Sequence, residues 1–314
     1  MNYLRSYLGV FNILILLLVF GTIVSCKEKQ EICFVSVWAD EGGRVKISDT
    51  QAMVGWNVTL TAIPEEGYKF ENWMVDGNVI STENPYTFVI TRSMQFRANF
   101  EKVSPSLPGT NNGQEYVDLG LSVKWASCNV GATAPEEYGD YFAWGETYQK
   151  RYYYWDNYKY CNGTNESLTK YCTKTSCGEF AFVDNKTTLD LTDDAARVNW
   201  GGTWRMPTAE ESEELMNEEN CTWIWTTKNG VNGLKITSRK NGNFIFLPAA
   251  GHCYLENLGN VGIECEYWTS SLYSDYPDFS NFIRGYQDNY SKLDVYYLYT
   301  SSRYVGQPVR AVCE

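Results

Sequence analysis

Between Ser271 and Lys292 the sequence reads SLYSDYPDFSNFIRGYQDNYSK, setting Tyr273, Tyr276, Phe279, Tyr286 and Tyr290 among Asp, Asn and Ser without helical or strand period. Tyrosine joins a large apolar ring to a polar tip, so this composition suits an adaptable contact loop for a glycan or a protein, as in antibody paratopes. Arg284 and Asp288 would supply polar specificity within it. A second aromatic run, Tyr152 to Trp155, offers further rings that could stack on a sugar or pack locally. The carboxylates Asp275, Asp278 and Asp288 are candidate calcium ligands, but calcium wants six to eight oxygens and the stretch reads better as solvated loop charge.

Other chemistry finds less support. His252 is the one histidine, and it stands beside Cys253. Neighbouring strand residues point to opposite faces, so the two make a poor catalytic dyad. The chain has no G-x-S-x-G elbow and no C-x-x-C, and one histidine cannot complete a finger-type zinc site. With no acid, base and nucleophile assembled, the chain reads as a non-enzyme without metal or cofactor.

The framework for such a loop is legible around WGGTWRMPTAEE, Trp200 to Glu211. Pro207 ends one element, Thr208 reads as an N-cap, and Glu211 three residues on completes a capping box for a helix reaching about Met216. Asp193 to Ala196 reads as the start of a shorter helix, and Trp200 and Trp204 are expected to pack beneath the longer one. Strand segments follow in CTWIWTT, GLKITS, NFIFLPAAG, CEYWTSS, LDVYYLY and QPVRAVC, with a hairpin signal at Asn241-Gly242. EEYGDYFAWGE also reads as strand-like. Upstream, Phe34 to Phe100 alternates apolar and polar residues through several short runs, the pattern of a small all-β module. Ser104 to Gly113, SPSLPGTNNG, reads as a linker.

The chain has 314 residues, room for two domains with sizeable cores. Its net charge of −12 repels phosphate backbones, which argues against nucleic acid as a partner. Met1 to Ser25 carries one charge, Arg5, then the apolar run Ile13 to Phe20, too short to span a bilayer. That is a targeting segment. It closes at IVSC, which resembles a bacterial lipobox; the resemblance implies cleavage before Cys26 and a diacylglycerol thioether on that thiol, hence a membrane partner through the N-terminal lipid. Lys27 follows rather than aspartate, which favours the outer membrane; the tether does not decide between its periplasmic and surface faces, of which the surface is favoured. Nine cysteines remain in an oxidising compartment, where disulfides are expected. Cys172 and Cys177 are close enough to close a local loop, and Cys313 is placed to staple the terminus.

Two resemblances organise the rest. GWNVTLTAIPEEGYKFENW, NPYTFVI and FRANF resemble the divergent internalin-type B-repeat of bacterial surface proteins, which implies a compact β-rich spacer. From Glu115 onward, YVDLGLSVKWASCNVGA, GDYFAWGET, DDAARVNWGGTWRMPT, GNFIFLPAAG, YWTSS and GQPVRAVC occur in order and resemble the fibrobacter succinogenes major paralogous domain, a bacterial lipoprotein module. That resemblance implies a C-type-lectin-like α+β fold, mostly β with one or two short helices, binding through a long loop near Ser271 to Lys292. WRMPTAEE is also similar to the RLPTEAEWE signature of formylglycine-generating enzymes, but those pair cysteines near the C-terminal core, whereas Cys172 and Cys177 lie upstream. The lectin calcium signatures are absent too, with QPV at Gln307 to Val309 and WDN at Trp155 inside an insertion.

The expected organisation is therefore a signal peptide over 1–25, lipidated Cys26 and tether over 26–32, a β-repeat module over 33–102, a linker over 103–114 and the lectin-like domain over 115–314. The expected function is a surface binding or adhesion protein; the alternative is a structural or fimbrial-type subunit that binds nothing.

Overall fold

A computed structural model of the chain describes residues 31–65, 67–103, 107–288 and 293–314. Cys26 and Tyr290 lie outside the described residues. Among the described residues, no helix is long and apolar enough to cross a membrane.

The first module has eight strands: β1 (Ile32–Ala39), β2 (Gly43–Ile47), β3 (Gln51–Met53), β4 (Asn57–Pro64), β5 (Tyr68–Val75), β6 (Asn78–Ser81), β7 (Tyr86–Val89) and β8 (Met94–Lys102). They form one sheet in the order β3-β1-β8-β5-β6 and another in the order β2-β4-β7. Strand β1 runs parallel to β8, with Val35 opposite Met94 and Ala39 opposite Ala98. The alternation in β4 explains the packing: Val58, Leu60 and Ala62 are buried while Thr59, Thr61 and Ile63 are not. They close on Trp73, Phe96 and Ala98. Each large side chain removed from water here contributes about 1.5–3 kcal/mol. The buried Trp73 donates its indole N–H to the Glu83 carbonyl at 3.0 Å.

The second module opens earlier than the linker reading placed it. Gly109–Asn111 is strand β9, paired with β10 (Gln114–Val117). Asparagine and glycine there are turn residues of a hairpin, not breaks in a tether. Strand β11 (Lys124–Ala126) and the C-terminal β20 (Val312–Cys313) complete that sheet, in the order β20-β11-β10-β9. Between β11 and helix α1 (Ala195–Trp200) lie only loops, bridges and three single-turn helices. EEYGDYFAWGE is accordingly not a strand. Its Phe142 makes one isolated bridge to Gln307, and its Tyr141 and Trp144 serve as buried core rings.

Asp194 caps α1 by accepting from Arg197 N–H at 2.9 Å, and Thr208 with Glu211 forms the expected capping box on α2 (Ala209–Met216). Then come β12 (Cys221–Lys228), β13 (Val231–Ser238), β14 (Phe244–Pro248), β15 (His252–Tyr254), β16 (Asn257–Gly259), β17 (Glu264–Leu272), β18 (Phe279–Asp288) and β19 (Leu293–Ser302). They build sheets β12-β13-β14, β15-β16 and β17-β18-β19.

The motif residues turn out to be structural. Trp200 and Trp204 meet edge to face at 5.2 Å, and Trp204 donates to the Asn111 carbonyl at 2.7 Å. Gly202 holds φ +57°, and a Cβ there would lie 2.8 Å from the Asn112 Cβ, so β9 can approach only a glycine. Arg205 grips Glu211 through both guanidinium nitrogens. Near the C-terminus, the fully buried Arg310 donates to Asn129 Oδ1 at 2.8 Å and to the carbonyls of Ala126, Ser127 and Phe246. Arg303, equally buried, donates to Tyr158 and to the carbonyls of Lys170, Tyr171 and Pro277, clasping the 147–186 insertion.

The nine described cysteines are all free thiols, eight of them buried, which corrects the disulfide expectation. Cys161, Cys172, Cys253 and Cys313 share one core without bridging, and several thiols donate to carbonyls instead: Cys172 to Lys174 at 3.1 Å and Cys265 to Leu247 at 3.2 Å. The terminus is held by Arg310 and β20 rather than by a Cys313 bridge. Modules of this size bury enough apolar surface to stand without staples.

Candidate binding surface

Residues 271–288 of the expected contact loop form a hairpin rather than a long loop, and residues 289–292 lie outside the described residues. The six residues Tyr273 to Asp278 form its turn, and β18 takes up Phe279 to Asp288. The strand was hidden because its polar and aromatic residues sit on a half-buried face, where composition imitates a loop.

This hairpin divides the expected contact residues. Tyr273 and Tyr276 stack at 5.9 Å in the turn, with the Lys174 ammonium 5.0 Å from the Tyr276 ring. The turn is tied to the insertion: Thr173 donates to the Ser274 carbonyl at 2.8 Å, and Asn165 to Asp278 Oδ2 at 3.1 Å. Phe279 opens β18 opposite Ser302. Arg284, Tyr286 and Asp288 alternate along one face toward the far end of the strand, about 20 Å away at the usual strand rise. A small ligand at one group would therefore not reach the other. The carboxylates are split likewise, and among the described residues no group of three or more His, Cys, Asp or Glu is placed to hold a metal ion.

On the β17-β18-β19 sheet, Glu266 lies opposite Arg284 and Glu264 opposite Tyr286, while Arg284 lies opposite Tyr297 of β19. Alternation puts these on one face, with Cys265, Tyr267 and Ile283 turned to the core. Arg284 donates to both oxygens of Glu264, at 2.8 and 2.7 Å, and to the Tyr297 hydroxyl at 2.7 Å. Its guanidinium also lies 5.0 Å from the Tyr286 ring and 5.7 Å from that of Tyr299. Glu264 holds it firmly protonated. Arg284 is thus locked in a planar arrangement rather than left free to seek a ligand.

Glu266, one step along β17, is buried and meets His252 Nδ1 at 2.9 Å, and Asn260 donates to the same oxygen at 3.2 Å. That carboxylate raises the His252 pKa above the usual imidazole value. The ring packs over Gly259, where a Cβ would lie 2.8 Å from Nε2. Cys253 is buried, and burial pushes its thiol pKa up, so no activated thiolate accompanies the imidazole.

Tyr254 follows His252 by two residues and shares its face of β15. It joins an aromatic group with Tyr154 at 6.2 Å and Tyr304 at 6.1 Å, and Trp155 lies 5.0 Å from Tyr304. Tyr154 is 37% exposed and Tyr254 is 41% exposed. Backbone bonds in both directions between Tyr153 and Leu255 fix the insertion against β15. The buried Tyr153 donates to the Tyr141 carbonyl at 2.6 Å and sits against Gly306, where a Cβ would come within 2.7 Å of its ring. From Tyr297 through Arg284–Glu264 and Glu266–His252 to Tyr254, Tyr304 and Tyr154, each residue touches or shares a face with the next. The outcome is a band of rings and fixed polar groups suited to stacking and hydrogen bonding.

The sequence reading included Tyr154 and Trp155, and Arg284 and Tyr286, as parts of two separate clusters. It missed Tyr254, Tyr304, Glu264, Glu266, Tyr297 and Tyr299. Alternation in ECEYW and in VYYLYT was the available signal, since every second residue shares a face.

Residues 34–104 match the family model of the divergent InlB B-repeat domain. No curated protein matches the chain. No solved structure matches it either.

Proposed function

We propose that this chain is a lipid-anchored cell-envelope protein that binds a glycan through the aromatic band of its second module. The leader and the IVSC sequence support attachment through Cys26 and an outer-membrane location, surface face favoured. The ordered motifs from Glu115 to Glu314 support a C-type-lectin-like fold for that module, with the β-repeat module as spacer.

The observation that carries the reading is the ring group Tyr154, Trp155, Tyr254 and Tyr304, half open to solvent beside the hydrogen-bonding pair His252 and Glu266. Sugar rings present apolar C–H faces and hydroxyl edges, and this surface offers a partner for each. A glycan array probed with the purified chain, followed by titration of the best hit, tests the proposal. Replacing Tyr254 or Tyr154 by alanine should weaken binding about tenfold each, as expected for a lost stacking contact of about 1–1.5 kcal/mol. An array without hits, or affinity unchanged in both variants, sinks it. Self-association on sedimentation without any glycan would favour the structural-subunit reading instead.

A further inference from the structure

A cavity of about 490 Å³ lies where the two modules meet, walled by β4 and β5 on one side and by the segments flanking β12 and β13 on the other. It is separate from the aromatic band. Four cations, Lys46, Lys69, Arg239 and Lys240, line it against two carboxylates, Glu218 and Glu219. The chain as a whole carries a net charge of −12, so this concentration of positive charge runs against the background.

Arg239 is the informative residue. It reaches across the junction, donating Nη1 to the Pro64 carbonyl at 2.7 Å and Nε to the Glu218 carbonyl at 2.7 Å. Both acceptors are neutral, and Arg239 forms no ion pair among the described residues. Its charge is therefore partly removed from water, with Glu218 near enough to act on it but not bonded to it through its carboxylate. Burial lowers its pKa, opposed by Glu218 and helped by Arg44. Lys240 Nζ likewise donates to a carbonyl, that of Gly120, at 3.0 Å. Lys46 is exposed, at the rim.

The walls also limit what fits. Ile63, Phe70 and Pro85 offer apolar surface, with the Thr61 and Thr82 hydroxyls beside them. The volume falls in the range of pockets for small organic ligands of about 300–1,000 Å³, far more than an inorganic anion fills. With Nε and Nη1 on carbonyls, Nη2 of Arg239 is the guanidinium nitrogen left to meet an anionic oxygen in the cavity.

We propose that this junction cavity binds a carboxylated sugar, its carboxylate on Arg239 and its ring against the Ile63, Phe70 and Pro85 wall. Calorimetric titration of the purified full-length chain with glucuronate, glucose and inorganic phosphate tests it. Glucuronate should bind, more weakly as salt rises, with glucose and phosphate each at least tenfold weaker. Arg239→Ala should abolish the glucuronate signal. Because Arg239 also bridges the modules, Lys46→Glu provides a second variant at an exposed site and should weaken glucuronate several-fold while leaving the melting temperature unchanged. Absence of glucuronate binding, equal binding of phosphate, or full affinity in both variants would overturn the assignment. Loss of glycan-array binding in the Tyr254 variant, with glucuronate affinity intact, would separate this site from the aromatic band.

Discussion

His252 is held against a buried carboxylate, and this has a consequence for stability. Its folded pKa lies above the unfolded value of about 6.5, because the hydrogen bond and charge of Glu266 favour the imidazolium, helped by Glu264 and opposed by burial and by Arg284. The stabilisation is therefore fully present below about pH 6.5 and is lost as pH rises through the folded pKa. Thermal melts of the native chain and of His252→Gln, followed from about pH 5.5 to 8.5, should show the native advantage shrinking with rising pH. A constant difference across that window would mean the pair contributes through packing alone. The two buried arginines act differently. Arg310 and Arg303 accept their desolvation because each is surrounded by carbonyl and hydroxyl acceptors, and they join segments far apart in sequence.

Helix α2 ties the opening motif to the sheets, since Leu215 is buried with Ile283 and Tyr267 in one core. Its start depends on the reciprocal bonds of the capping box, Glu211 N–H to Thr208 Oγ1 at 3.2 Å and Thr208 N–H to Glu211 Oε2 at 2.9 Å. Thr208→Ala should cost about 1 kcal/mol of stability in denaturant titration, and Thr208→Ser should restore most of it. Equal losses in the two variants would assign the effect to the threonine methyl group instead. At the same scale, the β17–β18 hairpin decides which tyrosines can cooperate. Its turn sends Tyr273 and Tyr276 toward the insertion, and its alternation aligns Arg284 with Tyr286.

Across the molecule, apolar packing is partitioned. One core draws its residues from Cys33 to Phe100 alone, and the other two draw theirs from Tyr116 to Cys313. The Arg239–Pro64 bond and the cavity walls join them, a junction that is polar rather than a shared apolar core. Such modules unfold as separate cooperative units. Calorimetry should resolve two transitions, the larger enthalpy belonging to the second module, which contains roughly three times as many residues. A single transition with equal calorimetric and van't Hoff enthalpies would show that the junction couples them fully.

The sequence by itself determined what depends on near neighbours. Periodicity marked the β-rich first module, the Thr208-x-x-Glu211 spacing marked the start of α2, and Asp193 to Ala196 marked the region of α1, because caps and alternation are settled within a few residues. What depends on distant partners stayed out of reach. Asn111 and Asn112 are received by the distant Trp200 to Trp204 segment, and which cysteines come to share a core is set by folding rather than by their spacing. The aromatic band assembles Tyr154, Tyr254, Tyr304 and Tyr297, which are separated by up to 150 positions, so no local pattern could mark it. The tertiary structure decided that surface, since it alone specifies which side of each strand meets water and which residues lie across from one another.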